Sequence, residues 1–207
     1  MNNRDYKNYS SGEFYHIYNR GNAKQNIFIN NEDFKFFLLR LRQNLFPKED
    51  SNSRIQNLPA GSFSLISYCL MPNHFHLIVK QNSEIPTSKL VLKVCTSYSK
   101  YFNKKYEQVG HVFQDRFKQV HIDDSSYLTW LVAYVHQNPK VAGLVKDLKD
   151  YPWSSYLDFL EKRGDGICDK EIILSQFKNI ADFENFIEDS YDIIKDKKSL
   201  DRFLLDV

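Results

Sequence analysis

The sequence predicts an α+β fold: a ferredoxin-like sandwich whose antiparallel sheet carries helices on one face, followed by a C-terminal helical extension. Three observations predict it. Segments with a two-residue apolar period and segments with helical spacing follow one another as strand, helix, strand, strand, helix, strand, the split βαβ order. The 207 residues, 42% hydrophobic and 15% aromatic, are enough to bury a core. Finally, the charge changes sign along the chain. Residues 147–207 hold 9 Lys and Arg against 15 Asp and Glu, whereas residues 1–146 hold 19 against 11. That shift predicts a main domain over 1–160 and an acidic helical extension over 161–207.

The elements follow in order. "EFYHIYNRG" (Glu13 to Gly21) alternates, is rich in aromatics and ends at Arg-Gly, the pattern of a strand and turn. In "NNEDFKFFLLRLRQNLF", Phe34, Phe37, Leu38, Leu41 and Leu45 fall at helical spacing behind the start signals Asn31 and Asp33. "PKEDSNSRIQNLPAG" is polar, with two prolines and a glycine, and reads as a loop. "SFSLISYCLM" and "HFHLIVK" form a hairpin across a Pro72-Asn73 turn. Beyond Pro86, the residues Leu90, Val94, Tyr98, Tyr101 and Phe102 mark one helical stripe. "GHVFQDRFKQVHI" alternates as a fourth strand. "DDSSYLTWLVAYVHQNP" is a third helix, with Asp124 or Ser125 as its N-cap and Pro139 as its end.

Composition excludes several classes. No apolar run approaches the roughly 20 residues of a membrane-spanning helix, and the polar start "MNNRDYKNYSSGE" lacks a signal-like apolar stretch. Cys69, Cys95 and Cys168 form neither a disulfide framework nor a zinc-finger spacing. A reducing cytoplasm, with no membrane partner, is the expected setting. Basic residues gather between Lys89 and Lys118, against only Glu107 and Asp115. A basic body suits a polyanionic partner, although such a run also fits a solvated helix face.

Two segments carry chemistry. In "HFHLIVK", strand alternation puts His74, His76 and Ile78 on one side and Phe75, Leu77 and Val79 on the other, the side expected to meet the helices. The two imidazoles then lie within reach of one divalent cation. The same pattern fits two strand histidines bonded to their neighbours. On the third helix, Leu128, Leu131, Val132 and Val135 form the apolar stripe. At about 100° per residue, Tyr134 and Asn138 lie about 40° apart on one flank, with Tyr127, and His136 lies on the other. Tyr134 thus offers a hydroxyl and Asn138 an amide oxygen, while His136 is disfavoured as a ligand. Standing alone, Tyr134 also fits an aromatic at the edge of a core. A tyrosine beside a metal suggests covalent catalysis on a phosphodiester, because a divalent ion can polarise the phosphate for attack by an otherwise weak phenol nucleophile.

These segments resemble those of a known family. "HFH" is similar to the His-hydrophobe-His signature of the HUH endonucleases, and "AYVHQNP" to the catalytic helix of their single-tyrosine transposases. "FYHIYNRG", "YCLMPNHFHLIV" and "GHVFQDRFK" match in the same order, most like the REP-associated tyrosine transposase branch, so that the resemblance runs from about Glu13 to Tyr156. It implies Tyr134 as nucleophile, His74, His76 and Asn138 as metal site, and Mg2+ or Mn2+ as the ion. It also implies cutting and rejoining of single-stranded or hairpin DNA through a 5′-phosphotyrosine and a free 3′ hydroxyl. Better-known relatives often have glutamine where this chain has Asn138. Arg20, Lys104, Lys105, Arg116 and Lys118 are the candidate phosphate contacts, and Tyr18 and Phe113 the candidate base-stacking aromatics. Two alternatives share the fold: a domesticated hairpin binder that no longer cuts, and a replication initiator or relaxase. The latter would call for a second tyrosine, and Tyr127 is seven residues from Tyr134. Monomer and homodimer are both open.

Overall fold

The four strands form one antiparallel sheet in the order β2-β3-β1-β4, in a computed structural model that describes residues 10–47, 57–164 and 166–201. Residues 1–9 and 48–56, the start of the chain and most of the predicted polar loop, lie outside the described residues. The strands are β1 Phe14–Arg20, β2 Phe63–Met71, β3 His74–Gln81 and β4 Lys118–Ile122. β2 and β3 make the expected hairpin, and β1 lies between β3 and β4, antiparallel to both. This is the order that a split βαβ unit produces when its second hairpin strand returns beside the first strand.

Helices α1 (Asn31–Leu45) and α2 (Thr87–Lys105) cover one face. The Asn30 side chain accepts from the Glu32 amide at 3.0 Å, and Asp33 reaches back to the Asn30 amide, which fixes where α1 starts. Phe34, Phe37 and Leu41 of α1 and Leu90, Val94, Tyr98 and Phe102 of α2 are buried there against Ile17, Leu65, Leu70, Phe75, Leu77 and Val79 of the sheet. Phe75, Leu77 and Val79 therefore meet the helices as predicted.

Helix α3 (Ser125–Val141) departs from the expectation of helices on one face: it packs on the opposite side, the side of His74 and His76. Two features account for this. Only Asp123 and Asp124 separate β4 from α3, so the chain turns straight back under the sheet. That side also carries apolar residues needing cover: Cys69, Met71, Ile78 and Ile66. Ile66 is the extra residue at a bulge between Leu65 and Ser67, which turns it toward α3. Leu128, Leu131, Val132 and Val135 supply the helix side of this second core.

Two boundaries also differ. The fourth strand begins only at Lys118. The preceding loop instead wraps the end of β1, with Asn22 N–H donating to the Val112 carbonyl (2.9 Å), Gln114 N–H to the Arg20 carbonyl (2.9 Å) and the Asn19 amide to the Asp115 carbonyl (3.1 Å). Helix α3 does not stop at Pro139 but continues to Val141. Pro139 has no N–H to give the Val135 carbonyl, and the Asn138 side-chain amide covers the gap, donating to the carbonyls of Tyr134 (2.8 Å) and Val135 (3.4 Å).

Helix α4 (Tyr156–Phe159) and, from the acidic extension, helices α5 (Glu171–Leu174), α6 (Ile180–Asp189) and α7 (Tyr191–Asp201) pack onto the outer side of α3. Tyr156, Phe159, Phe183, Ile187 and Ile194 are almost fully buried in the α3 core. The Gln137 side chain donates to the Ile187 carbonyl at 2.6 Å, and Lys140 and Lys149 pair with Glu188 and Glu184.

Candidate active site

The sheet brings together on its α3 side residues distant in sequence. Cross-strand pairing sets Cys69, His76, Tyr18 and Lys118 in one row, and Met71, His74 and Arg20 in the next. His74 and His76 share this face as predicted, with ring centroids 5.1 Å apart and planes at 89°. From α3, the Tyr134 ring stands edge-on to His76 at 5.7 Å and to His16 at 6.3 Å. Nucleophile candidate and histidine pair therefore meet within one chain. Asn138 lies one turn further along α3, fully buried. Its amide nitrogen donates to the carbonyls of its own helix, and its side-chain oxygen is the atom with ligand chemistry.

Sequence reasoning missed two residues here. His16 Nε2 lies 3.0 Å from His76 Nδ1, with the rings nearly parallel at 5.2 Å. Burial pulls the His16 pKa down to about 4, so the ring is neutral at physiological pH. The signal for it was the alternation of "FYHIYNRG", which sets His16, Tyr18 and Arg20 on one face; the pairing of β1 with β3 was not visible. Asn73, read only as a turn residue, lies with its Oδ1 2.6 Å from His74 Nδ1.

His136 is elsewhere, as the flank argument held. It is fully buried, bonded through Nε2 to Ser155 Oγ (2.9 Å) and Ser67 Oγ (3.1 Å) and packed among Tyr156, Phe159 and Phe183. Burial pushes its pKa to about 3, so it is a neutral core residue. Tyr127 is exposed near the start of α3, and the pKa of Tyr18 is raised, first by burial and then by the neighbouring Tyr127 phenol.

The predicted phosphate contacts divide between the two faces. Arg20 pairs across the sheet with His74, Lys118 lies over the Tyr18 ring at 6.0 Å in the row of His76, and exposed Arg116 sits just before β4. Lys104 and Lys105 end α2, beneath the other face. Lys105 is held by Asp33 and Glu32, both at 2.9 Å, so its charge is already matched within the fold. Half-buried Phe113 packs against Phe75 (5.9 Å) and Tyr98 (6.3 Å) on the α1–α2 side, on the other face from the histidines.

Among the described residues, no three or more His, Cys, Asp or Glu gather into a metal-binding group. Besides the buried His16, which bonds to His76, the donors at this face are two imidazoles and neutral oxygens. Such a set suits a loosely held divalent ion whose shell is completed by water and substrate oxygens.

Three likenesses to known proteins bear on this arrangement. The family model for IS200-like transposases matches residues 37–138, a stretch that contains His74, His76, Tyr134 and Asn138. A protein of Haemophilus influenzae provisionally named a REP-associated tyrosine transposase is 27% identical over 106 residues, 45% of this chain and 59% of that one. A solved structure of a REP-associated tyrosine transposase bound to a REP hairpin superimposes with a TM-score of 0.57 at 16% identity, covering 82% of this chain and 94% of that chain. At that identity the superposition speaks for the fold. No helix among the described residues is long and apolar enough to cross a membrane. By the stretch from Phe37 to Asn138 and by the architecture around it, the chain is similar to the IS200-like transposases and, among them, to a REP-associated tyrosine transposase.

Proposed function

We propose that this protein binds hairpin DNA and nicks and rejoins its single-stranded flank, with Tyr134 as nucleophile. The observation that carries the reading is the Tyr134 ring set edge-on to His76, with His74 beside it on the same face. In the proposed step the Tyr134 hydroxyl oxygen attacks phosphorus and loses its proton to solvent. The bond from phosphorus to the 3′ oxygen breaks, that oxygen takes a proton from solvent and leaves as a 3′ hydroxyl, and the 5′ side remains as a phosphotyrosine. Reversal by another 3′ hydroxyl joins strands and restores the phenol. His74, His76 and the Asn138 oxygen would hold Mg2+ or Mn2+, which when bound polarises the phosphate. Arg20, Lys118 and Arg116 would line the backbone path, and Tyr18 would stack on an unpaired base.

The hairpin named with the superimposed transposase supports the choice of ligand. The test uses labelled single-stranded DNA with a hairpin, manganese, and a search for a denaturation-resistant protein–DNA adduct. Tyr134→Phe should abolish adduct and cleavage while leaving hairpin affinity within about twofold, because only one oxygen is removed. Tyr127→Phe should still cut. Affinity should fall steeply with salt as counterions are released. An adduct that survives in Tyr134→Phe and vanishes in Tyr127→Phe would move the nucleophile to Tyr127. Cleavage without any adduct would make the protein a hydrolase, and binding without cleavage would favour a non-cutting hairpin binder.

A further inference from the structure

Both histidines of the HFH segment have the same ring nitrogen engaged from outside the metal site. His74 Nδ1 lies 2.6 Å from Asn73 Oδ1. The orientation of that amide is fixed independently, because the Asn73 Nδ2 donates to the Lys24 carbonyl at 3.3 Å. The atom facing His74 is therefore a carbonyl oxygen, which can only accept, so Nδ1 of His74 carries the proton. His76 Nδ1 lies 3.0 Å from His16 Nε2, a contact with one proton between two nitrogens.

The partners are themselves held. Gly21 N–H donates to the Asn73 carbonyl (2.8 Å), and the Ile27 and Phe28 amides both donate to the Pro72 carbonyl (2.8 and 2.9 Å). The segment after β1 thus clamps the turn that precedes His74. It presents the Lys24 carbonyl only because Ala23 and Lys24 both adopt left-handed backbone, at φ 50° and 62°. Non-glycine residues rarely hold that conformation without a structural reason, and two in succession mark a built feature. His16 is placed by the pairing of β1 with β3 and is buried beneath Tyr134.

We propose that Asn73 and His16 are positioning residues that hold His74 and His76 in the Nδ1–H form, so that each presents Nε2 to the same divalent ion. The inference rests on the metal reading above and extends it to a mechanism for preparing the site. An imidazole ligates through its unprotonated nitrogen, so an acceptor at Nδ1 selects Nε2 and also fixes the ring plane. Asn73 is bound to this role by its amide geometry. His16 performs it by accepting from His76 with its own proton on Nδ1, which makes the second histidine a copy of the first.

The experiment begins with the metal-free wild-type protein, 15N-labelled at histidine. Long-range nitrogen–proton correlation reports which ring nitrogen carries the proton. Nδ1–H on both His74 and His76 is expected, and Nε2–H on either overturns the proposal for that residue. Mn2+ binding is then measured by electron paramagnetic resonance. Asn73→Leu and His16→Leu remove the acceptors and should weaken binding by roughly 10–100-fold. Asn73→Asp and His16→Gln each keep an oxygen acceptor and should recover most of it. Leucine variants that fold and bind Mn2+ as wild type does would overturn the positioning roles; if they fail to fold, the wild-type spectra and the acceptor-retaining variants decide. A wild-type protein that binds no Mn2+, with or without hairpin DNA, would sink the metal reading, while the ring spectra would still report whether Asn73 and His16 set the proton positions.

Discussion

Asp33 shows how much a single side chain can hold. Its carboxylate is fully buried and accepts from five donors: the amides of Ile29 (2.8 Å) and Asn30 (3.1 Å), the hydroxyls of Tyr106 (2.7 Å) and Tyr101 (3.0 Å), and the Lys105 ammonium (2.9 Å). Burial by itself would raise its pKa. The Lys105 ammonium, the Tyr106 hydroxyl and the two amides outweigh burial and hold it below the ordinary carboxylate value. Its contribution to stability is therefore complete above that value and is lost as pH falls through it toward the lower folded pKa. Asp33→Asn should cost roughly 1.5–3 kcal/mol at pH 7, the scale of a lost charged acceptor. It should also flatten the acid end of the stability curve. Urea unfolding at pH 7 and pH 3 measures both, and a variant within about 0.5 kcal/mol of wild type at pH 7 would refute the assignment. In the sequence, Asp33 was legible only as a helix-start signal, and Lys105 read as a phosphate contact because charge patterning cannot see a partner 72 residues away. Tyr134, His74 and His76 were legible for the opposite reason. Their faces follow from local periodicity. His16 was not, since its bond to His76 spans 60 residues.

At the scale of elements, the segment from Gly21 to Phe28 determines how precisely the hairpin turn is placed. Gly21 is needed there for closeness of approach: a Cβ would lie 2.2 Å from the Gln25 carbonyl oxygen and 2.8 Å from a methyl of Ile27. Both neighbours would have to move, and with them the amides that hold Pro72 and Asn73. Gly21→Ala should therefore destabilise the fold by roughly 1–3 kcal/mol and lower Mn2+ affinity, although the residue touches no ligand. Thermal unfolding together with Mn2+ titration checks this, and unchanged values for both would mean that the segment yields without cost. The end of α3 gives the corresponding lesson about legibility. Proline predicted a stop, and the helix ran on because Asn138 supplies side-chain hydrogen bonds to the carbonyl that Pro139 leaves unpaired and to its neighbour. The pairing of a proline with the residue before it is a three-dimensional fact that propensity alone does not encode.

For the whole molecule, the strand order could be read from the succession of periods, but not the side on which α3 lies. That side depends on the two-residue link from β4 and on the Ile66 bulge, neither of which alters a hydrophobic pattern. Its outcome is that α3 is gripped from both sides, by Ile78 and Cys69 of the sheet and by Phe159 of α4 with Phe183 and Ile187 of the extension. A helix gripped in this way is expected to stay with its own chain. On the proposed function, each polypeptide then brings its own Tyr134 to its own His74 and His76, and catalytic capacity is expected to be counted per chain rather than per pair. Equal amounts of Tyr134→Phe and a His74→Ala, His76→Ala double variant, mixed together, should form no more adduct than the two measured apart. Recovery toward a quarter of the wild-type level would instead show that α3 can be exchanged between molecules.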